Sequence, residues 1–136
     1  VTRNRASAKA ATLRITVPIA SVPNPNRHTS RFALAGRRKK MREAVAALAA
    51  AVGPVETPCV IDFTFQWPNN IVRDSHNFEV KGYLDGLVDA GVIPDDNDRI
   101  VLRTSIAGRV EPLKGSRDVT IWAHIETARL EIEEVT

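Results

Sequence analysis

Cysteine is nearly absent from the sequence: Cys59 is alone among 136 residues. That excludes an internal disulfide and any CxxC metal motif. Only three histidines accompany it, so a structural zinc site is not expected. Aromatic residues make up just 5% of the chain, which argues against a stacking platform for single-stranded nucleic acid. No apolar run approaches the ~18 residues needed to cross a bilayer, and no charged-then-apolar leader opens the chain. The expectation is a cytoplasmic protein with no membrane partner and no small-molecule cofactor. A Gly-x-Ser-x-Gly turn and a Gly-x-x-x-x-Gly-Lys loop are both missing, which sets aside triad hydrolysis and nucleotide hydrolysis. The length predicts one domain over residues 1–136, too small for a deep pocket, hence a large substrate or an oligomer.

Acids are missing from the first part of the chain. Residues 1–54 carry 11 Lys/Arg against Glu43 alone, a net +10, whereas residues 55–136 net −7. Such asymmetry points to a polyanion met by the basic half. The densest run is Arg37, Arg38, Lys39, Lys40 and Arg42. Arg27, His28 and Arg31 precede it, and Arg3, Arg5 and Lys9 are expected in a flexible basic arm over residues 1–10. The plain alternative for the run is a solvated helix face.

Hydrophobic periodicity gives the elements. Leu13, Ile15 and Val17 alternate with polar residues, predicting a strand over 12–19 that Pro18 ends or places at an edge. Met41, Val45, Leu48 and Val52 recur at helical steps, predicting a helix from Leu34 or Arg37 to Ala51, stopped by Gly53-Pro54. Residues 58–67 read as a strand. A second helix fits 77–90, with Val80, Leu84, Leu87 and Val88 as its stripe and Gly91 as its cap. Residues 98–108 and 117–127 read as two further strands, expected to form a hairpin around Lys114-Gly115-Ser116. The fold expected is α+β: a mixed sheet of about four strands packed by two main helices.

Chemistry concentrates in residues 73–98, RDSHNFEVKGYLDGLVDAGVIPDDND, which hold Asp74, Asp85, Asp89, Asp95, Asp96 and Asp98. Asp74 precedes the second helix, and Asp95 and Asp96 follow it. They meet only if the chain folds back, for which a short return strand after Gly91 is expected. Clustered carboxylates repel unless a cation lies between them, and oxygen ligands without cysteine favour Mg²⁺ or Mn²⁺. Such an ion activates water and stabilises charge on a phosphate oxygen. Lys81 would add positive charge to the transition state. The plain alternative makes Asp74 or Asn77 a helix cap, Asp95 and Asp96 turn residues, and Lys81–Asp85 an exposed pair.

The pattern Arg73-Asp74-x-x-Asn77, Lys81, Asp85-Gly86-Leu87, Ala90-Gly91-Val92-Ile93 and Asp95-Asp96 resembles the RusA-type Holliday junction resolvases, above all phage and prophage forms. The likeness is specific over residues 73–96 and weak elsewhere. It implies a RusA-like homodimeric endodeoxyribonuclease, in a bacterial or phage-infected cytoplasm, acting in DNA recombination and repair. With Mg²⁺ such an enzyme resolves four-way junctions by paired symmetric nicks. It also implies Asp74 and Asp96 as metal ligands and catalytic residues, with Asp95 a weaker ligand and Lys81 the catalytic lysine. Arg37, Arg38, Lys39, Lys40, Arg42, Arg73 and Asn77 are expected to contact DNA.

Two departures stand out. Lys81 lies four residues after the asparagine instead of three, and His76 stands where the family carries a second aspartate. His76 is then a substitute ligand, a phosphate contact or a bystander. Asp62 is a weak replacement acid. The missing aspartate leaves a second reading, a non-catalytic branched-DNA-binding module that kept the fold but lost part of the metal site. Gly82 and Gly86, each costing ~1 kcal/mol inside a helix, point to close approach by a backbone or DNA, or to helix–sheet packing. Trp67 and Trp122 are expected in the core or an interface, His124 in a structural role, and Cys59 buried and inert.

Overall fold

A computed structural model describes residues 7–24, 30–68, 75, 78–109, 111 and 117–128. Its elements are β1 (Ala10–Pro18), α1 (Arg31–Ala49), β2 (Cys59–Gln66), α2 (Lys81–Asp89), β3 (Val101–Gly108) and β4 (Asp118–Thr127). They form one α+β domain, a four-stranded mixed sheet in the order β1-β4-β2-β3. β4 is antiparallel to both β1 and β2, and β3 is parallel to β2.

Strand alternation sends one set of side chains to the core. Leu13 and Ile15 of β1, Phe63 and Phe65 of β2, and Ile121 and Ala123 of β4 line up across the sheet and are buried. Burying each large member stabilises the fold by roughly 1.5–3 kcal/mol. Tyr83 of α2 bridges the outer strand β1 and the inner strand β2 across β4. Its ring meets Phe63 edge-on at 5.1 Å, and its hydroxyl donates to the Leu13 carbonyl at 3.1 Å. Burial pushes the Tyr83 pKa above the ordinary tyrosine value.

The two helices cross closely because of two glycines. A Cβ on Gly82 would stand 2.7 Å from the Arg38 carbonyl oxygen, and one on Gly86 would stand 2.6 Å from Val45 Cβ. The close approach is therefore between α1 and α2, not between a helix and the sheet. Ion pairs clamp the seam: Arg38 forks onto Glu79, and Arg42 reaches Asp89 at 2.5 and 2.8 Å.

Helix boundaries differ from the periodicity. α1 begins at Arg31, where the Ser30 hydroxyl accepts from the Ala33 amide at 3.2 Å. Its first turns hide no apolar stripe, for Phe32 is 90% exposed, so period gives no signal there. α2 begins at Lys81, with Val80 as a cap that makes no side-chain bond. The residues before it are held otherwise: the Glu79 amide donates to the Pro23 carbonyl, and Phe78 packs on Trp67 at 4.8 Å. Gly91, at φ +76°, ends the helix as expected.

The expected hairpin does not form. β4 inserts between β1 and β2, while β3 lies outside β2 after the α2 crossover. The connection after β3 must then cross the end of β2, where the Arg109 amide donates to the Phe65 carbonyl and the Gln66 side chain to the Glu111 carbonyl. Among the described residues no helix is long and apolar enough to cross a membrane.

Candidate functional site

Lys81, the first residue of α2, is the centre of the site. Helical spacing places Asp85 one turn on, 3.0 Å from the ammonium. Past Gly91 the chain turns back, and the burial of Val92 and Ile93 together with a Val55 amide bond to the Val92 carbonyl fixes its course. The return is a turn, not the expected strand. It brings Asp96 Oδ2 to 2.7 Å from Lys81 Nζ. Asp95 closes the turn: its Oδ1 accepts from the Asp96 amide and its Oδ2 from the Asn97 side chain. Asp95 thus spends both oxygens locally and orients Asp96.

The electrostatics follow from these contacts. The bond to Lys81 holds the Asp96 carboxyl below the usual carboxylate range. Bonds to Asp96 and then Asp85 push the Lys81 ammonium above its ordinary value. Lys81 and Asp96 are therefore both charged at neutral pH. Asp85 and Asp96 supply oxygen donors of the kind a hard divalent cation takes, and Lys81 is the counter-charge they share. The spacing of four between Lys81 and Asp85 was the sequence signal for that contact, and it gave no hint that Lys81 also meets Asp96.

Arg73, Asp74, His76 and Asn77 lie outside the described residues, as do Arg3, Arg5, Arg27 and His28. Ser75 is described and buried, its hydroxyl 3.4 Å from the Trp67 indole nitrogen and against Gly108, the last residue of β3. Ser75 thereby lies at the carboxyl ends of β2 and β3. Ligand sites of parallel strands characteristically lie at such ends. Among the described residues no group of three or more His, Cys, Asp or Glu is placed to hold a metal ion.

Other expected residues fall elsewhere. Asp62 projects from the sheet face opposite the helices, accepts from the Ser105 hydroxyl at 2.6 Å and lies 3.9 Å from Arg103. It therefore takes no part in the Lys81 cluster. Arg38 and Arg42 are engaged by Glu79 and Asp89, so they belong to the helix seam and not to a free basic face. Lys39 lies 3.9 Å from Glu43, and Arg37 and Lys40 have no ion pair among the described residues. Cys59 is buried, and desolvation raises its thiol pKa. Trp67 is in the core, but Trp122 and His124 lie on the open sheet face. No protein-family model matches the chain, and no curated protein matches it.

Proposed function

We propose that the protein is a Mg²⁺-dependent, structure-selective endonuclease that nicks four-way DNA junctions in symmetric pairs. The observation that carries this reading is the 2.7 Å approach of Lys81 to Asp96, two residues separated by the whole of α2. In it Asp96 and Asp74 would hold the ion, with Asp95 orienting Asp96 and His76 standing in for the absent second aspartate. Bound there, Mg²⁺ would activate water and stabilise charge on the scissile phosphate. With the ion held there, Lys81 would turn its ammonium toward the developing phosphate charge. Asp85, one turn on, keeps the lysine in place. Arg37, Lys39, Lys40 and Arg73 meet backbone phosphates without reading bases. A homodimer would present two such sites to a two-fold junction.

The second reading, a junction-binding module without cleavage, draws on one observation. Lys81 already pairs with both Asp85 and Asp96, so these two carboxylates have a cationic partner without a metal. Asp96→Asn separates the two. The endonuclease reading expects cleavage to fall by about 10²–10³ while junction affinity is kept. A wild type that binds junctions without nicking in Mg²⁺ or Mn²⁺ leaves only the binding module.

A further inference from the structure

The sheet face turned away from the helices carries a cluster that the metal reading does not use. Alternation sets Arg14 of β1 opposite Trp122 of β4 on that face, with Thr12 opposite His124 and Thr16 opposite Thr120. Arg109, just beyond β3, reaches the same indole. The guanidinium carbons of Arg14 and Arg109 lie 5.5 and 5.1 Å from the ring centroid, within cation–π range. His124 lies almost parallel to the indole, at 6°. Among the described residues neither arginine has a carboxylate within ion-pair distance. The Trp122 indole N–H is buried and has no hydrogen-bond partner among the described residues. A buried donor without an acceptor is rare and marks the spot as incomplete.

We propose that this face binds the nucleic-acid backbone, with Arg14 and Arg109 each taking phosphate oxygens and Trp122 acting as the rigid plane that holds both guanidinium groups. Two like charges held over one ring lack an anion, and phosphodiesters supply it. Thr64 and Gln66 of β2 add hydrogen-bonding groups beside the stack. Of the carboxylates on this face, Asp62 is engaged by Ser105 and Arg103, and Asp118 and Glu126 lie toward the two ends of β4, each four residues along the strand from Trp122. A second copy of the chain suits the face less well. A two-fold axis through the stack would set arginines against their own copies. The face also lacks the apolar centre of a homodimer interface, since its residues besides Trp122 and Val60 are mostly polar. The inference rests on the proposed function only for the class of partner, and it puts a second contact surface on the side of the sheet opposite α1.

The test is fluorescence anisotropy with a labelled four-way junction and a matched duplex, between about 50 and about 200 mM salt. Arg14→Gln/Arg109→Gln, checked for wild-type circular dichroism, is expected to weaken binding about tenfold and to reduce the slope of log affinity against log salt by about 2, one per phosphate contact. Tryptophan fluorescence should change on binding in the wild type and not in Trp122→Phe. Unchanged affinity and slope in the folded double variant overturn the proposal. So does a double variant that changes only the sedimentation coefficient, which makes the face a self-interface. A wild type that never cleaves but shows the arginine-dependent slope sinks the endonuclease reading and keeps this one. Intact cleavage with an unaltered slope does the reverse.

Discussion

On the helix side of the sheet, Arg38 and Arg42 are held by Glu79 and Asp89 across a glycine-lined crossing. On the open side, Arg14 and Arg109 lie over Trp122 with no carboxylate beside them among the described residues. One residue type serves two ends. At the seam its charge is consumed in joining α1 to α2. On the sheet it is left for a partner from outside. Basic density along the sequence is therefore a poor guide to basic surface. The densest run contributes two of its five members to ion pairs along the helix seam, and two arginines 95 positions apart make the free cluster.

The comparison is sharpened first by overfilling the seam. Gly86→Ala should cost about 1–3 kcal/mol, because its Cβ meets Val45 and the Arg42 carbonyl. Thermal unfolding should show a fall of about 5 °C or more, and an unchanged midpoint would mean that the helices do not cross so closely. Gly36, on α1 away from the seam, is the control. A Cβ there meets nothing within 4 Å. Gly36→Ala should therefore stabilise by about 0.5–1 kcal/mol through helix propensity. Loss of stability there would show that this face is covered.

Acid unfolding probes the turn. Asp96 has a depressed pKa in the folded chain, so its contribution is fully present above the ordinary carboxylate value of about 4 and is lost as pH falls through the folded value. Asp96→Asn should flatten the fall in stability below about pH 4, read by urea unfolding at several pH values. Equal pH profiles would break the Lys81–Asp96 contact. The smallest effect is expected from Arg42→Gln. Its pair with Asp89 is exposed and screened, so the unfolding midpoint should stay at the wild-type value and salt should not move the difference.

The sequence made much of this legible where the information was local. Ile61, Phe63 and Phe65 alternate with polar residues, and that alternation is the buried face of β2. Met41 and Val45 fall four apart and are buried on α1. Strand order was not legible, because β3 and β4 are each compatible with a hairpin until the α2 crossover and the slot between β1 and β2 are known. The start of α2 was displaced by contacts with Pro23 and Trp67, which lie in other parts of the chain. The site was legible in composition, as acids gathered around a lysine, but not in arrangement. That Asp95 serves the turn while Asp96 faces Lys81 depends on the Asp96 amide and the Asn97 side chain. The Arg14–Trp122–Arg109 stack had no local signal at all.

The most direct measurement is cleavage of an end-labelled four-way junction beside a matched linear duplex, in Mg²⁺ or EDTA. The account predicts symmetric nicks in the junction alone, dependent on Mg²⁺ and abolished in Lys81→Ala. Nicking of both substrates alike, or of neither, would contradict it.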